Sequence, residues 1–238
     1  MSLINYFHPL SKLKRQRQKL AQSDFCEPLR SLIRFPIWPP QTSLDSLEFL
    51  VVDFETSGLD IHQDTILSIG WVVIKGNQIH LDSAQRIDIL AADRINAETA
   101  VINHIVPETL VDATPIKTAV EELFDAMSNR VVVAHCVPIE RGFLNQHCRF
   151  FYNAKLPQIA WLDTLVMEGS LQDWSSHNRP SDFGLSTVRK KYGLPGYPAH
   201  DALIDAVATA ELFLAQIGAI FGQQKTSLGV LMKRSLPD

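Results

Sequence analysis

Two acids one residue apart, Asp53 and Glu55, stand inside the run Phe49-Leu50-Val51-Val52-Asp53-Phe54-Glu55-Thr56-Ser57-Gly58-Leu59. The apolar, β-branched residues read as a buried strand, and positions two apart on a strand leave the same face. Two carboxylates on one face repel each other and are costly to desolvate, and a divalent cation with oxygen ligands relieves both problems. The pattern thus reads as half of a hard-metal site. It reads equally as a strand ending at Val52 with its acids in a solvated turn, because Ser57-Gly58 is a turn signal. Further along, Glu140 follows the short apolar run Val131-Val132-Val133-Ala134, and His200 and Asp205 stand at the start of a long apolar segment. Strand ends and helix starts are where α/β proteins build sites.

The elements that must position these residues can be read in order. Residues 11–22 have helical composition with Ser11 as a cap, and Phe35-Pro36-Ile37-Trp38-Pro39-Pro40 reads as an extended linker. After the acid-bearing strand, Thr65 to Ile74 is a second strand, Lys75-Gly76-Asn77 a hairpin turn and Gln78 to Leu90 a third strand. Residues 97–127 read as helical segments broken at Pro107 and Pro115, the second over Ile116 to Met127. A strand over residues 131–134 then leads to a helix from Ile139 to Tyr152 with Glu140 in its first turn. A short strand covers Ile159 to Leu162, a helix opens at Gly184-Leu185-Ser186, and a long helix runs from His200 to about Ile217. The order predicts an α/β fold with a mixed sheet.

Composition narrows the class. The 238 residues suit one sizeable domain with an appendage: residues 1–42 as a basic extension and linker, 43–220 as the globular domain and 221–238 as a tail. No apolar run approaches the length that spans a membrane, and the first residues lack the layout of a signal peptide, so a cytoplasmic protein is expected. Cys26, Cys136 and Cys148 show neither disulfide nor zinc spacing and are expected to be reduced packing residues. Net charge is −4, unevenly placed: residues 1–34 carry seven Lys/Arg against Asp24 and Glu27, a local balance of +5. Such an arm either seeks a polyanion or packs on the acidic body as an amphipathic helix.

In the order Asp53-x-Glu55, Glu140, His200-x-x-x-x-Asp205, the motifs resemble the histidine branch of the DEDD 3′-to-5′ exonucleases, and within it the proofreading epsilon subunit of bacterial DNA polymerase III. The matching pieces are Val52 to Leu59, Val133-Ala134-His135 through Glu140-Arg141-Gly142-Phe143-Leu144, and His200 to Ala206. Ile102-Asn103-His104-Ile105 and Leu162-Asp163-Thr164-Leu165 are secondary matches. The resemblance covers about residues 47–218 and implies a ribonuclease H-like, mixed five-stranded sheet flanked by helices. Two positions depart from it: Glu140 stands where the family has Asp, and Cys136 where Asn is common.

The resemblance implies a metal-dependent 3′-to-5′ exonuclease acting on DNA, preferring single-stranded or frayed ends, through two cations that are Mg²⁺ or Mn²⁺. Asp53 would bridge the cations, Glu55 and Asp205 would complete one of them, and Glu140 would serve the other through water. His200 would be the general base, because imidazoles titrate in the neutral range. The backbone of Thr56, Ser57 and Gly58 would grip the terminal nucleotide, Leu59 would wedge against its base, and His104 would line the pocket. Two other readings share these motifs: an RNA-trimming exoribonuclease, and a catalytically impaired nucleic-acid-binding or polymerase-associated module, motivated by Glu140. Expected partners are DNA or RNA 3′ ends and a polymerase or sliding clamp. Gln223-Gln224-Lys225-Thr226-Ser227-Leu228 faintly resembles a clamp-contacting peptide, although a frayed tail is the simpler expectation.

Overall fold

The computed structural model describes residues 7–20, 25–90, 113–171 and 183–236. Among these, strands β1 (Glu48–Thr56), β2 (Ile66–Lys75), β3 (Gln78–Asp88), β4 (Val131–Ala134) and β5 (Trp161–Asp163) form one sheet in the order β3-β2-β1-β4-β5. β1 and β2 pair antiparallel, as do β2 and β3, whereas β4 and β5 run parallel to β1. The β2–β3 turn places Gly76 at φ 56° and Asn77 at φ 60°. That left-handed pair is the backbone a tight hairpin requires, and Gly and Asn are the residues that tolerate it.

Both faces of the sheet are covered. Leu50, Val52 and Phe54 pack with residues of α3 (Ile116–Met127) and α4 (Pro138–Tyr152). Phe49 and Val51 pack on the opposite face with Ala210 and Phe213 of α7 (Ala202–Phe221). The alternation of β1 therefore directs its odd-numbered positions, which include Asp53 and Glu55, toward α7. At 20 residues, α7 is long and apolar enough for a membrane span, against the expectation from sequence. It owes that composition to packing, since Ala206, Ala208, Ala210, Leu212 and Phe213 are all buried.

The short helices account for most differences from expectation. Helix α1 spans Pro9–Leu20, so Ser11 lies inside it and not at its cap. Proline is preorganised for a first helical position, and the Leu10 amide donates to His8 Nδ1 at 3.2 Å, so His8 supplies the cap. Four further elements, α2 (Leu29–Ile33), the 3₁₀ turn Leu44–Ser46, α5 (Thr164–Leu171) and α8 (Leu228–Arg234), carry no clear sequence signal; α6 (Leu185–Lys191) does. The frayed tail is corrected: Leu228 and Leu231 are fully buried, and the amides of Leu228 and Gly229 donate to the carbonyls of Thr42 and Pro40 at 3.0 and 2.8 Å. Gly229 permits this, because a Cβ there would lie 2.7 Å from the Pro40 oxygen. Leu10 and Leu13 of α1 join the same core cluster.

Candidate active site

The end of β1 brings three carboxylates together. One oxygen each from Asp53, Glu55 and Asp205 lie within 4.8 Å of one another. Asp53 and Glu55 share a face through strand alternation, and Asp205 faces them from the first turn of α7. Burial is the main reason these acids resist ionisation, and their mutual repulsion adds to it. Asp53 is pushed well above the usual carboxylate range by desolvation and then by Glu140, Asp205 and Glu55. Glu55 rises to about 8 by desolvation and then by Asp205, and Asp205 is raised by desolvation. A divalent cation among these oxygens would reverse both causes, so the donor set fits a hard metal.

Glu140 stands apart from this group among the described residues, yet near enough for its charge to raise Asp53. It is 3% exposed, burial lifts it to about 8, and its Oε2 has no hydrogen-bond partner. A buried, unpaired carboxylate oxygen is a costly arrangement unless a ligand or water completes it. Its helix is anchored by Asp163, which the sequence offered only as a secondary match. The Asp163 carboxylate accepts the amides of Cys136 and Val137 at 3.1 and 2.9 Å, and those of Leu165 and Val166 at 2.9 and 3.3 Å. One acid thus caps the entry to α4 and the start of α5, with Cys136 held at the strained φ of 80°. The Asp163 amide in turn donates to Ser235 Oγ at 2.6 Å.

His200 lies just outside α7 and not within it. Asp201 is the cap, accepting the Leu203 and Ile204 amides at 3.0 and 3.1 Å. Aspartate is a strong N-cap, a signal legible in the sequence. His200 sits at φ 68° with its side chain exposed, and its amide donates to Asp205 Oδ2 at 2.8 Å. One row across the sheet seats this turn: Gly70 pairs with Asp53 on β1 and with Arg86 on β3. Arg86 forms an ion pair with Asp201. A Cβ on Gly70 would lie 2.1 Å from the carbonyl carbon of Ala202. Only glycine lets the start of α7 approach so closely.

The loop after β1 is compact. Asp64 accepts from Ser57 Oγ at 3.0 Å and from the Asp60 amide at 2.9 Å, and Thr56 Oγ1 donates to the Gly58 carbonyl at 2.8 Å. A Cβ on Gly58 would meet Asp64 Oδ2 at 2.4 Å. Leu59 at the tip is 75% exposed, free to meet a ligand. His104 and the segment around it lie outside the described residues.

A mixed sheet in this order, with acids gathered at the end of its central strand, is a ribonuclease H-like fold. The chain belongs to the exonuclease family: the RNase T family model, described as exonuclease, matches residues 50–213. It is similar to the PolC-type DNA polymerase III of Thermotoga petrophila, with 31% identity over 177 residues, covering 73% of this chain. The chain spans about 12% of the length of the curated relatives it matches. Among solved structures it resembles the zinc-bound complex of Escherichia coli Exonuclease I with single-stranded DNA. There the TM-score is 0.61 and identity 16%, over 75% of this chain and 42% of that one. It also resembles the nuclease domain of 3′hExo, a DEDDh family member bound to rAMP. That match has a TM-score of 0.59 and 15% identity, over 73% of this chain and 92% of that one.

Proposed function

We propose that the chain is a metal-dependent exonuclease that removes nucleotides from single-stranded or frayed 3′ ends of DNA. The observation that carries this reading is the convergence of Asp53, Glu55 and Asp205 within 4.8 Å. Those three acids would hold two cations, Mg²⁺ or Mn²⁺, with Glu140 adding charge from outside the cluster. When bound, such a pair activates water and neutralises the leaving oxygen. His200 takes the proton from the attacking water, and the hydrogen bond that its backbone amide donates to Asp205 Oδ2 keeps the histidine beside the acids. As the new O–P bond forms, the bond to the 3′ oxygen breaks and a 5′-mononucleotide leaves. The backbone from Thr56 to Gly58 holds the terminal nucleotide, and Leu59 wedges against its base, so an unstacked end is preferred. His104 is retained as a candidate lining residue.

Relatives named as DNA polymerases favour DNA and a polymerase as partner. The 3′hExo nuclease domain, bound to rAMP, keeps RNA trimming as the second reading. A clamp contact through residues 223–228 is not favoured, because Leu228 is buried. We assign catalysis to residues 43–220, with residues 1–42 and 221–238 as flanking segments, in a cytoplasmic protein. The test is incubation with 3′-labelled single-stranded DNA, duplex DNA and RNA, each with Mg²⁺, Mn²⁺ or chelator. Fastest metal-dependent release from single-stranded DNA is expected; preference for RNA selects the second reading, and no release from any substrate overturns both.

A further inference from the structure

Helix α4 starts beside the acids, with Glu140 buried in its first turn, and runs away from them along the surface. Its outer face carries Arg141, Asn145 and Arg149, four residues apart and therefore aligned, over about 12 Å of helix axis. Both arginines are exposed, and neither forms an ion pair among the described residues. Asn145 Oδ1 accepts the Leu156 amide at 3.1 Å, which folds the following turn back along this face and brings exposed Lys155 to it. Phe150 is 80% exposed, and its ring meets Phe151 edge to face at 4.9 Å. Phe150, next to Arg149 in the chain, borders this basic face with a solvent-exposed aromatic ring.

This face is continuous with the candidate pocket. Gly142, beside Arg141, lies against Ile61 of the loop that carries Leu59; a Cβ there would sit 3.0 Å from Ile61 Cγ2. The acids of that loop are engaged within it: Asp60 accepts the His62 amide and the Gln63 side chain, and Asp64 accepts Ser57 and the Asp60 amide. The N-terminal extension is the other basic segment, but Arg17 is committed to the carbonyls of Gln158, Phe35 and Leu32.

We propose that the outer face of α4 is a track for single-stranded nucleic acid on the 5′ side of the cleaved nucleotide. Arg141 and Arg149 meet successive phosphates, Lys155 extends the charge, and Phe150 stacks on a base. The proposal rests on the nuclease reading. Phosphate contacts carry salt dependence and stacking does not, so the two kinds of contact are separable.

The test uses the full chain at fixed Mn²⁺, with a dinucleotide and with an oligothymidylate long enough to cover α4, over a range of salt. Arg141→Ala/Arg149→Ala should leave dinucleotide hydrolysis unchanged and raise KM for the long strand at constant kcat. The slope of log(kcat/KM) against log[salt] should become shallower by about 1.4, at roughly 0.7 per lost phosphate contact on a single strand. Phe150→Ala should raise the long-strand KM about tenfold with the slope unaltered. Wild-type slope and KM in the double variant overturn the track while leaving the nuclease reading standing. Equal losses on both substrates overturn it too, since the residues would then act through the placement of Glu140. Failure of the wild type to cut either substrate removes the nuclease reading and the track together.

Discussion

Replacing Gly70 by alanine adds one methyl group at the closest approach between sheet and helix. The new Cβ would lie 2.1, 2.2 and 2.3 Å from the carbonyl carbon and oxygen of Ala202 and the amide nitrogen of Leu203. Unstrained carbon contacts begin near about 3.5 Å, so backbone must give way by roughly 1.5 Å. None of the three atoms belongs to a flexible side chain, and Ala202 is buried. The start of α7 must therefore lift from the sheet, taking with it Asp205 and the hydrogen bond it accepts from the His200 amide. Overpacking of this kind costs about 1–3 kcal/mol, which a folded domain of this size can survive. A displacement of about 1 Å at reacting groups can cost on the order of a hundredfold in rate. Gly70→Ala should thus remain folded, by circular dichroism and thermal melting, while kcat for 3′-end hydrolysis falls about a hundredfold or more and Mn²⁺ binding weakens in calorimetry. A folded variant with wild-type Mn²⁺ affinity and activity within about threefold would refute the claim that this close approach sets the acid cluster.

Three further outcomes are expected. Glu140→Asp should keep or raise activity while Glu140→Gln loses most of it, because the charge acts from outside the three-acid group; equal rates for the Gln variant and wild type would remove Glu140 from the site. Asp163→Ala should destabilise by at least about 2 kcal/mol in denaturant titration, since four amides lose their acceptor, with Asp163→Asn milder; an unchanged midpoint would refute its anchoring role. His147 is 5% exposed with neither ring nitrogen bonded, and burial depresses it to about 4. A histidine lowered on folding costs stability as pH falls from its unfolded value toward its folded one. The wild type should lose about 2 kcal/mol between pH 7 and pH 5 that His147→Leu does not lose, and matching pH dependences in chemical denaturation would sink that reading.

Much of the site was legible because strand chemistry is periodic. Asp53 and Glu55 share the face of Phe49 and Val51 by alternation alone, and Gly76-Asn77 announced the hairpin. Contacts between distant segments were not legible. Gly70 reads in sequence as a weak point of a strand, and only the seating of Ala202 against it gives it a role. Asp163 reads as the end of a short strand; the Leu165 and Val166 amides follow it in the chain, whereas those of Cys136 and Val137 reach it only through the fold. Helix α8 has seven residues and no strong periodic signal, and its burial depends on carbonyls of the linker at Pro40 and Thr42. The apolar pattern alone extends the long helix back to His200, whereas the cap chemistry of Asp201 starts it at Ala202 and leaves the histidine outside.

End-labelled single-stranded DNA tests most directly whether Asp53, Glu55 and Asp205 hold the metal that cuts from the 3′ end. With Mn²⁺, wild type should release the 3′ label first, as mononucleotide, and shorten the 5′-labelled strand in a ladder. Folded Asp53→Ala and Asp205→Ala should each be slower by several orders of magnitude, and chelator should stop the wild type. Wild-type release rates in either variant, or undiminished release in chelator, would contradict the account.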